Sequence, residues 1–133
     1  MFRIPISSLP LQKQKLLEQS VTSPPMYIFI QNHKYDWDLQ AVIYEIQIGI
    51  KNFNDIVISN YKLRFSDLEK MDKSLRQINN YKNLPKFPPK KWFGNTNANF
   101  LQKRQNELQN YLNTLTQDLD IQKFSQFLEI FHE

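Results

Sequence analysis

The hydrophobic period of this chain changes once, near Ser66, and that change limits the possible folds more than any other feature. Over 42–50, Val42, Tyr44, Ile46, Ile48 and Ile50 alternate with Ile43, Glu45, Gln47 and Gly49. A period of two places the first set on one face of a strand. Residues 26–30 (MYIFI) and 56–65 also read as strands, and the turn-rich 51–55 links the second strand to the third. After Ser66 the apolar residues fall at Leu68, Met71, Leu75 and Ile78, the three- and four-residue spacing of a helix. Ser66 and Glu69 supply an S-x-x-E capping box, with Phe65 as the last strand residue. A second helix is expected over 97–117, with Phe100, Leu108, Tyr111, Leu112 and Leu115 inward. A final helix is expected over 120–131, with Ile121, Phe124, Leu128 and Phe131 on one side.

Strands followed by helices predict an α+β fold. The expected architecture is a three-stranded antiparallel meander, able to be wet on one face, packed on a helical subdomain of three to four helices. A proline-rich loop separates the first two main helices. Residues 1–25, interrupted by Pro5, Pro10, Pro24 and Pro25, read as an N-terminal arm folded back on a single domain over 26–133. Leu9, Leu16 and Leu17 mark a short helical patch within that arm.

Composition removes several kinds of chemistry. The 133 residues include no cysteine, so neither a disulfide framework nor a thiolate metal site is expected. The two glycines, Gly49 and Gly94, cannot build a phosphate-cradling loop. His33 and His132 lack metal-ligand spacing, and Asp36 and Asp38 flanking Trp37 read as solvated loop carboxylates. No serine or threonine stands beside a base motif. The expectation is a protein that is not an enzyme and carries no metal or cofactor. No apolar run is long enough to span a bilayer, and the first residues do not resemble a signal peptide, so a cytoplasmic location is expected.

Charge concentrates in one half. Residues 61–104 hold 11 Lys+Arg against 3 Asp+Glu, and the remainder 6 against 10, within a net charge of +4. Such segregation points to one anionic partner surface. Within the basic half, 84–95 (LPKFPPKKWFGN) combines a proline run, three lysines and the adjacent aromatics Trp92 and Phe93. A positive loop with an oily tip suits a surface that is both anionic and greasy. At 63–68 (LRFSDL), Arg64 sits beside Phe65 where the strand meets the helix. A guanidinium fork fits a phosphate, and an aromatic face can support a ring.

Taken together these segments resemble a Phox-homology (PX) domain, over about residues 26–131. LRFSDL at 63–68 is similar to the family's R-R-Y-S-D-F, and the helix after it follows in order. The 84–95 loop is similar to the family's P-x-x-P-K segment, and 100–112 (FLQKRQNELQNYL) to the family helix bearing an arginine. The resemblance implies binding of a phosphoinositide, most often phosphatidylinositol 3-phosphate, on cytosol-facing, endosomal-type membranes, in trafficking. It places Arg64 at the 3-phosphate, Phe65 against the inositol ring, Lys90 at the 1-phosphate and Arg104 at the 4- and 5-hydroxyls. It places Trp92 and Phe93 in the bilayer, with Lys82, Lys86 and Lys91 against the anionic leaflet. The chain departs from the family at Leu63, where the doublet's first arginine would stand, and at Phe65, which lacks a tyrosine hydroxyl.

The alternative reading is a protein-interaction module with weak or no lipid binding. It would use Pro85 and Pro88 as a P-x-x-P ligand or present the C-terminal helix through Phe127. Nucleic acid is not an expected partner, because an apolar loop tip has no task there.

Overall fold

A computed structural model describes residues 1–79, 85–90 and 97–118. The final helix expected over 120–131, with Phe127, and the loop residues Lys82, Lys91, Trp92 and Phe93 lie outside the described residues. The elements in chain order are β1 (Phe2–Pro5), a short 3-10 turn, α1 (Leu11–Gln19), β2 (Met26–Asp36), β3 (Ala41–Asn52), β4 (Asp55–Arg64), α2 (Phe65–Asn79) and α3 (Ala98–Asp118). The α+β class and the antiparallel sheet agree with the sequence pattern. The sheet has four strands rather than the expected three, in the order β1-β4-β3-β2. The added strand comes from the N-terminal segment: Phe2 to Pro5 pair antiparallel with Ile58 to Asp55. Four residues are too few to show a period, so β1 is invisible to pattern and is made by the β4 edge it joins.

The alternating set of β3 points where its period requires. Tyr44, Ile46 and Ile48 join Met26, Ile28 and Ile30 of β2 in one core, closed by Leu68, Met71 and Leu75 of α2 and by Leu108, Tyr111, Leu112 and Leu115 of α3. Ile78's side chain lies outside the described set. Phe100 is only half-buried, and Leu101 takes the buried position beside it.

The face expected to be wet is instead largely covered. Tyr27, Ile56 and Ile58 pack with Leu9 and Leu17, so α1 and the turn before it close a second core. Gln47 and Gly49 made this face look polar. Gly49 is the space that Tyr27's ring occupies, since a Cβ there would meet Tyr27 Cε2 at 2.2 Å. Gln47 accepts from the Tyr27 hydroxyl and from Lys13 Nζ at 2.7 Å each. A polar residue on a strand face is thus satisfied inside a core rather than solvated.

The β2 edge is closed by α3. Ile30 N–H donates to Gln109 Oε1 (2.7 Å), and Gln109 Nε2 donates to the Ile28 carbonyl (2.8 Å), so one amide side chain stands in for a neighbouring strand. Farther along β2, His33 Nδ1 lies 2.6 Å from Gln105 Oε1. His33 is therefore a mid-strand residue, because β2 runs six residues beyond the expected 26–30, past a register shift between Ile30 and Asn32. Strand, α2 and α3 meet at one end of the sheet, and that end holds the candidate site.

Candidate functional site

The strand-to-helix junction comes first. Helix α2 begins at Phe65, so Arg64 takes the N-cap position, two residues earlier than the capping box at Ser66 predicts. The Arg64 N–H donates to Asp67 Oδ2 at 2.9 Å, so the carboxylate of the first turn closes the helix and Glu69 is not used. The consequence is positional: Arg64 is the last residue of β4, opposite Ile43, and its side chain leaves from the end of the sheet. That side chain is about half-exposed, and its nearest carboxylate is Asp67 at 3.9 Å.

Three elements converge there on a cavity of about 250 Å³. Arg64 arrives from β4, Lys90 from the proline segment and Arg104 from α3, with Phe65, Tyr44 and Leu101 in the wall. Among the described residues no carboxylate lines this cavity. A larger neighbouring cavity of about 420 Å³ shares Arg64 but mixes Lys34 and Lys62 with Asp36, Glu45 and Asp67. Its charges cancel, so size does not identify the site; the smaller cavity has three cations and, among the described residues, no acid in its lining.

Arg104 is the unusual member. It is 7 % exposed. Its guanidinium carbon lies 4.0 Å from the centre of the Phe65 ring and 4.6 Å from that of Phe100, and one Nη donates to the Pro89 carbonyl at 2.7 Å. Among the described residues no carboxylate reaches ion-pair distance of it. Burial therefore lowers its pKa from the ordinary arginine value, partly opposed by Tyr44, Glu107 and Glu69. The cation persists because two aromatic faces and a carbonyl replace much of its hydration. An anion entering the cavity would supply the missing countercharge.

The expected residues divide as follows. Arg64, Phe65, Lys90 and Arg104 all line one cavity. Phe65 is already engaged, by Arg104 on its ring and by Phe87 with centroids 5.3 Å apart, so it supports a guanidinium as well as a wall. Lys86 is exposed on the proline segment. Pro88 is buried and the Pro85 carbonyl accepts from Arg76, so the P-x-x-P surface is turned toward its own domain.

Two residues of the β2–β3 turn were missed. Trp37 is 82 % exposed and Leu39 56 %, and Gln40 and Ala41 of the same turn line the cavity. The turn is held by Asp36 Oδ1, which accepts from Leu39 N–H at 3.0 Å, and Trp37 meets Tyr35 edge-on at 4.7 Å. The available signal was an aromatic inside a turn between two alternating strands, where no core can absorb it.

The fold and cavity define a small α+β domain with a basic site at the strand–helix junction, lined among the described residues by no carboxylate. The sequence pattern of the PX domain matches residues 52–133, and the chain belongs to that family, a family of phosphoinositide-binding modules that associate peripherally with membranes. The fold is similar to the X-ray structure of a designed CISK-PX domain, with 26 % identity and a TM-score of 0.53, covering 66 % of this chain and 82 % of that one. No curated protein matches the chain. Among the described residues no helix is long and apolar enough to cross a membrane.

Proposed function

We propose that this domain recognises phosphatidylinositol 3-phosphate in an endosomal-type membrane and serves membrane targeting in trafficking. The observation that carries the reading is Arg104, a buried cation without an ion-pair partner among the described residues, facing a cavity that also holds Arg64 and Lys90. Arg64, half-exposed and only distantly paired, is the group free to turn its fork onto a 3-phosphate. Lys90 meets the 1-phosphate from the proline segment, and Arg104 takes the ring hydroxyls. Phe65 backs the inositol ring and keeps the Arg104 guanidinium in plane.

Docking adds terms outside the cavity. Lys82, Lys86 and Lys91 face the anionic leaflet, at about 1 kcal/mol each near the surface. Trp92 and Phe93 insert beyond the headgroups, and the exposed Trp37 forms a second apolar contact on the other rim. A fully buried aromatic of about 150–250 Å² at about 25 cal/mol per Å² bounds each insertion at roughly 4–6 kcal/mol. Partial insertion gives less, so cavity and rim contribute on a similar scale and act together.

The test is a panel of vesicles, each carrying one phosphoinositide, sedimented with the wild type and with Arg64→Ala. The wild type is expected to favour phosphatidylinositol 3-phosphate. Loss of one charged hydrogen-bonding group, about 2 kcal/mol, makes Arg64→Ala at least about 30-fold weaker. Equal sedimentation of both proteins would remove Arg64 from the site. Absence of binding by either would favour a protein-interaction module.

A further inference from the structure

The proline segment 85–90 has neither helix nor strand, and Pro85, Pro88 and Pro89 carry no N–H with which to join a ladder. It is nevertheless fixed at both ends by guanidinium groups. At the cavity end Arg104 donates to the Pro89 carbonyl. At the far end one Arg76 Nη donates to the Pro85 carbonyl at 2.6 Å. Between them Phe87 packs edge-on to Tyr111, with centroids 5.1 Å apart, and against Phe65.

Arg76 is itself held. Its Nε lies 3.1 and 3.0 Å from the two oxygens of Asp72, four residues earlier on α2. Asp72 is 5 % exposed, and it also accepts from the Tyr111 hydroxyl at 2.6 Å. Burial first, and then this bond, raise the Tyr111 pKa far above the ordinary tyrosine value, so the hydroxyl stays protonated and donates. The result is a relay from α3 through α2 to the start of the segment. Its geometry needs a fork: a single ammonium can neutralise Asp72 but cannot at once reach the Pro85 carbonyl.

We propose that Arg76, which does not line the cavity, is a positioning residue for headgroup binding. It anchors one end of a two-point strap, and the strap sets where Lys90 stands at the other end. This rests on the phosphoinositide reading of the cavity but assigns a task to residues that reading does not use. Lys90 follows Pro89 directly, so any freedom gained at Pro85 is passed along a short, stiff run of prolines to the rim of the cavity.

The test uses Arg76→Lys, which keeps the charge beside Asp72 and so spares the fold. Hydrogen exchange of the lipid-free protein is measured first. The amides of Lys86, Phe87 and Lys90 should exchange at least about tenfold faster in Arg76→Lys, with β2 and β3 amides unchanged. Equal acceleration in the strands, or none in the segment, would overturn the strap. Binding of a soluble, short-chain phosphatidylinositol 3-phosphate is then compared for wild type, Arg76→Lys, Lys90→Ala and the double variant. If Arg76 acts through Lys90, Arg76→Lys costs about five- to tenfold, and the double variant is no weaker than Lys90→Ala alone. Multiplying losses would show that Arg76 does not act through Lys90. A wild type that fails to bind would refute the headgroup reading, while the exchange result still decides the strap.

Discussion

One cation lies over each face of the sheet, Lys13 half-buried and Arg104 buried, and the two are held in nearly the same way. On the α1 side, Lys13 Nζ donates to Gln47 Oε1 at 2.7 Å and lies 5.2 Å from the centre of the Phe29 ring and 6.0 Å from that of Tyr27. On the α2–α3 side, Arg104 donates to the Pro89 carbonyl and stacks on Phe65 and Phe100. Burial lowers the pKa of both. The difference lies in what surrounds them. Lys13 spans a closed second core and meets an amide that also takes the Tyr27 hydroxyl, so its chemistry is complete. Arg104 opens on a cavity with two more cations and, among the described residues, no acid in its lining, so its chemistry waits for an anion. Burial over aromatic rings therefore does not mark a binding site by itself. The uncompensated field beside it does.

Paired substitutions separate the two regions. Arg104→Met should weaken sedimentation with phosphatidylinositol 3-phosphate vesicles by about 100-fold, as a charge-assisted contact at the ring is lost. Lys13→Met should leave it within about twofold and change only thermal stability. Comparable losses from both would mean that binding follows general stability rather than the cavity. Next in size, Gly49→Ala should destabilise the α1 face by about 1–3 kcal/mol in a urea titration, because Tyr27's ring must leave its place over the strand. Lipid affinity of the folded fraction should stay unchanged, which confines that core to structure. A smaller effect belongs to the rim. Trp37→Ala should weaken vesicle binding about five- to tenfold while sparing a soluble headgroup. Equal loss in both assays would make Trp37 structural.

The smallest expected effect is a pH dependence on the α1 face. Burial raises the Tyr27 pKa from 10.0 to about 12. A raised folded-state pKa means that the unfolded chain releases its proton first. The stabilisation is then complete below pH about 10 and is lost as pH rises toward 12. Urea midpoints between pH 8 and 11.5 should fall for the wild type. Tyr27→Phe should fall less steeply but not become flat, because Tyr44 and Tyr111 are shifted the same way. An identical slope in the two proteins would show that Tyr27 does not titrate differently on folding.

Much of the site was legible before the fold. Arg64, Phe65, Lys90 and Arg104 lie in separate segments, yet each stands in a motif with its own local reason: a strand end, a cap, a proline run and a helix face. Periodicity carried α2, α3 and the inner face of β3, because those elements bury one stripe and solvate the rest. The errors came where partners are distant in sequence. Gln47 and Gly49 read as a wet face because nothing local reveals that Tyr27 fills the glycine and that Lys13 arrives from α1. The cap moved by two residues, from Ser66 to Arg64, because Asp67 competes with Glu69 for the helix start, and only backbone geometry decides between them.

The chain alone thus determined the class of fold, the basic half and four of the residues that line the cavity, Arg64, Phe65, Lys90 and Arg104. These follow from local period, charge and spacing, which a sequence displays directly. Tertiary structure decided which of those charges remain unpaired. It sets Asp67 beside Arg64 at a distance, commits Arg76 to Asp72 and the Pro85 carbonyl, and leaves Arg104 buried with rings and a carbonyl but, among the described residues, no acid at ion-pair distance. Compensation of a charge depends on the distances among groups brought together by folding, and a linear order of residues does not contain those distances.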